Sequence, residues 1–193
     1  MRLYVYALVP PGTALGDLGT GVAGEPLALL PIGGLAAVVG EMEDRPSIAP
    51  GSLGVHDEIL RRIEAAAGGF LPFPFGAMVD GEAELRDGVG PRAAHFLASI
   101  ERGRLCDQMT VVVQADDPAA ARARLREKLG TLVRAEKLDA RASGPSRLTL
   151  FHLVPRASLD DYRARASALA AAIAPARVSL TGPWVPYAFT ELG

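Results

Sequence analysis

The sequence predicts an α+β protein of two small lobes with mostly antiparallel sheets, the first lobe ferredoxin-like. Three observations carry this. Strand-like and helix-like patterns alternate along the chain, which calls for sheets layered with helices. Gly33-Gly34 divides the apolar runs 27–32 and 35–39, and a Gly-Gly pair supplies the positive φ angles of a tight hairpin, so antiparallel pairing is expected. The charge then changes sign: residues 1–80 hold four arginines against nine acids, and residues 81–193 hold sixteen basic groups against thirteen acids. The lobes are placed at 1–90 and 91–193, with the boundary between residues 80 and 104.

The elements follow in order. Leu3–Val9 is an apolar run closed by Pro10-Pro11 and reads as a buried strand. A Gly-rich loop spans 11–26, and the hairpin strands follow. Ser52 is expected to cap a helix to about Ala67, with Leu53, His56, Leu60, Ile63 and Ala67 on one face, Ile59 beside them, and Gly68-Gly69 as the stop. In Phe70–Gly76, Pro72 and Pro74 each remove a ladder donor, so this is an edge strand or extended arm. Alternation would place Leu71, Phe73 and Phe75 on one side. Residues 82–101 read as helix interrupted near Gly88–Pro91, with the main helix from Pro91 to about Ile100. Cys106–Gln114 is a strand. Asp117-Pro118 opens a helix to Leu129, with a second helical stretch expected after Gly130, up to Lys137. Arg147–Val154 is a strand, Ser158–Asp161 opens a helix ending before Pro175, and Arg177–Leu180 is the last strand.

The composition bounds the function. The chain has 193 residues, 49% hydrophobic and 22% charged, enough to bury about 70% of its unfolded surface. No apolar stretch approaches the ~20 residues of a membrane helix, and the start lacks the features of a signal peptide. A cytoplasmic protein is expected. The net charge of −2 argues against nucleic acid as partner. The only cysteine, Cys106, excludes an internal disulfide and a Cys-based zinc site.

No motif points to catalysis, a metal or a cofactor. Gly19–Gly24 matches the dinucleotide fingerprint in letters, but Pro26 and a strand pattern follow where the mechanism requires a helix N-terminus. His56, His95 and His152 are not spaced for a helical metal clamp, and His56 and His152 read as packed histidines. Cys106 reads as a small apolar residue, although Arg102 and Arg104 are near in sequence. Glu41, Glu43 and Asp44 read as a solvated turn. Arg122 and Arg126 are i, i+4 neighbours, as are Arg124 and Lys128. Such like charges repel unless an acid is near, so the helix is a candidate docking surface. Trp184, bracketed by Pro183 and Pro186, is expected to fill the core.

Five segments occur in a distinctive order: Leu3–Pro10, Leu35–Gly40, the helix around His56–Leu60, Leu71–Gly76, and Leu180–Phe189 with its Thr-Gly-Pro-Trp-x-Pro-Tyr-x-Phe ending. This series resembles the GvpL/GvpF family of gas vesicle proteins from about residue 3 to 189. The resemblance implies a two-lobed cytoplasmic accessory protein of gas vesicle assembly. It would contact the small hydrophobic shell subunit and other accessory proteins and remain as a minor shell-associated component. The candidate contact residues are Phe73, Phe75, Arg122 and Arg126, with Phe70, Trp184, Tyr187 and Phe189 if exposed. The runner-up is a ferredoxin-like domain that senses a small molecule; a small enzyme using His56 or Cys106 stands third.

Overall fold

The computed structural model describes residues 1–173 and 175–190. The chain divides into two compact units, Met1–Arg104 together with Thr190, and Leu105–Phe189. The division falls after the helix Ala93–Gly103, which a cut at 90/91 would separate from its own core. Residues 191–193, the predicted end of the second lobe, lie outside the described residues.

The first unit begins with β1 (Arg2–Val9), β2 (Leu27–Ile32) and β3 (Leu35–Met42). Gly33 and Gly34 adopt φ of 54° and 89°, and the hairpin closes at the Ile32–Leu35 pair. Helix α1 (Pro50–Ala67) leads to β4 (Leu71–Pro72) and β5 (Met78–Val79), both antiparallel to β1. The sheet order is β2-β3-β1-β4, with β5 also on β1. This is the ferredoxin-like order, with the loop 10–26 standing where that pattern places its first helix. Ser52 does not cap α1. Ala49 is the cap residue and Pro50 starts the helix, because the missing proline N–H is one of the donors a first turn leaves unsatisfied anyway. The left-handed Gly68, φ 65°, ends it.

Both faces of this sheet are covered. A register shift between Val5 and Ala7 resets the alternation, so Leu3, Val5 and Leu8 share one face. They pack with Leu85 and Val89 of α2 (Glu82–Val89) and Ala93, Phe96 and Ile100 of α3 (Ala93–Gly103). Pro91 sits in a 3-10 turn between these helices, so α3 begins two residues later than predicted. Tyr4 and Tyr6 face α1, their rings 5.7 and 5.6 Å from that of His56. Ile59, Leu60 and Ile63 of α1 are fully buried, whereas Leu53 is exposed.

The second unit is a complete βαββαβ pattern: β6 (Cys106–Gln114), α4 (Pro118–Leu129), β7 (Ala135–Leu138), β8 (Arg147–Pro155), α5 (Leu159–Ala172) and β9 (Arg177–Trp184). The strand order is β7-β8-β6-β9. Met109, Val111 and Val113 of β6 pack with Leu125 and Leu129 of α4 and Tyr162 and Ala166 of α5. Each such apolar side chain contributes about 1.5–3 kcal/mol by burial. Asp117 caps α4 by accepting the Ala120 N–H at 3.0 Å. Two elements differ from the sequence reading. The stretch to Lys137 is strand β7, with a 3-10 turn at Gly130–Leu132 before it. β9 runs on to Trp184, because a register shift opposite Gln108–Thr110 accommodates Pro183 on an edge strand.

Leu105, the first residue of this unit, has φ 55° although it is not glycine. Its side chain is more than half exposed, so little packing offsets the backbone strain. Leu105→Gly is expected to stabilise the protein by about 0.5–1 kcal/mol, the left-handed penalty less the extra chain entropy of glycine. Leu105→Val should destabilise it. Chemical denaturation of the three proteins measures the order.

Candidate partner-binding surfaces

The arm after β4 is anchored by a circuit of buried hydrogen bonds. The Phe73 N–H donates to the Tyr6 carbonyl at 2.8 Å, continuing the ladder one residue past Pro72. The Gly76 N–H donates to the Tyr4 hydroxyl oxygen at 3.0 Å. That hydroxyl lies 3.0 Å from His56 Nδ1, and His56 Nε2 lies 3.2 Å from the Phe73 carbonyl. A carbonyl only accepts, so Nε2 carries the proton and Nδ1 accepts from Tyr4. Burial lowers the His56 pKa and pushes that of Tyr4 up to about 12. His56 therefore works as a neutral hydrogen-bonding brace.

The arm does not place its aromatic residues on one side. Phe73 packs against the core on the α2–α3 face. The chain then turns, with the Ala77 N–H donating to the Pro74 carbonyl at 3.1 Å. This turn carries Phe75 to the opposite face, 6.1 Å from the Tyr4 ring and 5.6 Å from His56. Both phenylalanines are half-buried, so each presents part of its ring to solvent from a fixed backbone. Phe70 is buried.

In the second unit the candidate arginines meet an acid that sequence spacing did not connect to them. Glu136 on β7 accepts from Arg122 Nη2 at 2.6 Å and Nε at 3.0 Å, and Arg126 Nε lies at 3.2 Å. Its other oxygen accepts from His152 Nε2 at 3.1 Å, and the Tyr162 hydroxyl donates to His152 Nδ1 at 2.7 Å. The hydrogen bond from His152, with Arg122 adding to it and burial opposing, holds Glu136 down at about 2. Arg126 remains largely exposed, and both arginines flank a shallow groove of about 460 Å³ with Pro118, Ala119, Pro145 and Leu148.

The order carboxylate, imidazole, hydroxyl is that of a nucleophilic triad, but Tyr162 is fully buried and burial raises its pKa, which leaves no accessible nucleophile. Cys106 is also fully buried, and burial raises its thiol pKa. The Gly19–Gly24 segment is a loop held to β1: Tyr6 donates to Glu25 at 2.5 Å and accepts the Val22 N–H at 2.9 Å. The next element is strand β2 rather than a helix. Among the described residues no group of three or more His, Cys, Asp or Glu is placed to hold a metal, and no helix is long and apolar enough to cross a membrane.

Trp184 is the aromatic residue the sequence reading misplaced. It is 45% exposed, not in the core. Gly182, at φ 124°, has no room for a Cβ, which would lie 2.8 Å from the Gln108 carbonyl oxygen and 2.9 Å from the Met109 sulfur. Arg163 Nη2 donates to the Gly182 carbonyl at 3.1 Å. Val185 and Pro186 then bury, and Gln108 Oε1 accepts the Ala188 N–H at 2.8 Å. The Thr-Gly-Pro-Trp segment is thus a pinned bulge that turns its tryptophan outward.

Two α+β units on the ferredoxin-like strand order, each braced by a buried His–Tyr pair, define the class of fold. The sequence matches the family described as gas vesicle synthesis protein GvpL/GvpF over residues 2–128 and 119–191, and the chain belongs to that family. Its fold is that of the crystal structure of the gas vesicle protein GvpF from Anabaena sp. PCC7120, with a TM-score of 0.76 at 14% identity over 100% of this chain and 97% of that one. GvpF from Microcystis aeruginosa gives a TM-score of 0.76 at 13% identity over 98% and 99% of the two chains. No curated protein sequence matches the chain.

Two outcomes check these braces. Glu136→Gln should cost about 2 kcal/mol, less than a fully buried pair because both arginines reach water. Glu136 titrates lower in the folded than in the unfolded chain, so its contribution is full above the ordinary glutamate value and is lost as pH falls toward about 2. Acid titration of wild type should show that loss, and Glu136→Gln should lack it. His56→Phe keeps a ring but leaves the Tyr4 hydroxyl proton and the Phe73 carbonyl without a partner. It should cost about 2–3 kcal/mol and speed amide exchange at Phe73 and Gly76.

Proposed function

We propose that this protein is an accessory factor of gas vesicle assembly. It binds the small hydrophobic shell subunit in the cytoplasm, acts beside other accessory proteins, and stays with the shell as a minor component. The observation that carries the reading, given the family, is the set of aromatic residues on anchored backbone that are not fully buried: the partly buried Phe73 and Phe75 on the arm after β4, and the exposed Trp184 on β9. A subunit whose mature surface faces gas carries an apolar face that aggregates in water until it is covered. Rigid, partly exposed aromatic rings cover such a face with little loss of side-chain entropy. Arg122 and Arg126 border a second, apolar groove, where the charge on Arg126 selects a partner with an acidic flank.

Co-expression with the shell subunit tests this. Wild type should co-purify with it. Phe75→Ser and Trp184→Ser should fold, Trp184→Ser with unchanged thermal stability, and both should lose most of the bound subunit. Failure of wild type to retain the shell subunit would overturn the reading.

A further inference from the structure

The end of the second sheet opposite Trp184 carries a polar site that the assembly reading does not use. β6 pairs with β8 on one side and β9 on the other, and Gln114 is directly opposite both Arg147 and Arg177. Directly paired residues of antiparallel strands project from the same face, neighbours lying about 5 Å apart. Arg147, Gln114 and Arg177 therefore form a row across three strands. The two arginines are two strand spacings, roughly 10 Å, apart at the backbone. Gln114 follows the core residue Val113 in alternation, so the row lies on the face away from α4 and α5.

All three side chains are exposed. Neither guanidinium makes an ion pair or side-chain hydrogen bond within the described residues. By contrast, Arg122, Arg156 and Arg165 of the same unit each have a carboxylate. The row opens on a depression of about 430 Å³ whose remaining wall includes Ser146, Asp116 and Pro175.

We propose that this depression binds an oxyanion-bearing ligand, with Arg147 and Arg177 gripping the anion from two sides and the Gln114 amide donating between them. Planar guanidinium forks match carboxylate and phosphate oxygens in geometry as well as charge, and a concave setting between two unpaired cations concentrates the field. Asp116 on the wall leaves a net charge of about +1 by counting these three groups, so the depression as a whole attracts an anion. The Ser146 hydroxyl adds a donor at the rim. This site is independent of the shell-binding surfaces.

The test is a backbone and arginine-side-chain NMR titration of the full chain with sodium glutarate and, separately, sodium phosphate, against sodium chloride at equal ionic strength. Saturable shifts confined to the Gln114, Arg147 and Arg177 region are expected. Saturation by glutarate identifies a carboxylate ligand, and saturation by phosphate alone identifies a phosphate-bearing one; either supports the site. Arg147→Gln and Arg177→Gln, both at exposed positions, should each weaken binding about tenfold or more with the remaining spectrum unchanged. Arg141→Gln, an exposed arginine outside the row, should bind as wild type. Shifts that never saturate, or that match the chloride control, would overturn the proposal. So would shifts that persist equally in both row variants.

Discussion

A tyrosine hydroxyl hydrogen-bonded to a buried histidine ties sheet to helix in each unit, and much of the rest is arranged around keeping that pair satisfied. In the first unit the tyrosine is on β1 and the histidine on α1. In the second the histidine is on β8 and the tyrosine on α5. An unpaired buried polar group costs about 1–3 kcal/mol, so every remaining donor and acceptor of these pairs needs a partner. The first unit uses the backbone of the arm, at Phe73 and Gly76. The second uses Glu136, and a buried carboxylate then requires cations, which Arg122 and Arg126 supply.

Satisfying these groups also shapes the surface. The bonds to Tyr4 and His56 fix the turn that leaves Phe75 half-exposed. The bonds to Glu136 fix Arg122 and Arg126 beside an apolar groove. At Gly182 a close backbone approach forces the bulge that turns Trp184 to solvent. In each place a buried constraint determines which large side chain meets the outside. The fold in which these constraints act is shared with GvpF at 13–14% identity.

Much of the fold is legible in the sequence because its signals are local. The Gly33-Gly34 hairpin, the Gly68 stop, the Asp117 cap and the apolar core of β6 each depend on a few adjacent residues. What is not legible depends on distant partners. Ala135–Leu138 has the composition of a helix and becomes a strand because β8 offers it an edge and His152 offers Glu136 a bond. The predicted side-sharing of Phe73 and Phe75 fails because the Tyr4 hydroxyl and His56 lie within reach of the arm and a turn follows Pro74. Trp184 was expected inside because two prolines bracket it; the room Gly182 lacks on its inner side decides otherwise. Arg122 and Arg126 were legible as a charged pair, but their acid is ten or more residues away in sequence and adjacent only in the sheet.

The central claim is that these anchored aromatic rings touch the shell subunit. It is tested most directly by placing the photo-cross-linker benzoylphenylalanine at position 75 or 184 in cells that are assembling gas vesicles. The account predicts a covalent adduct with the small shell subunit from both positions, and none from an exposed helical position such as Arg165. Normal vesicle assembly with no shell-subunit adduct from either aromatic position would contradict it.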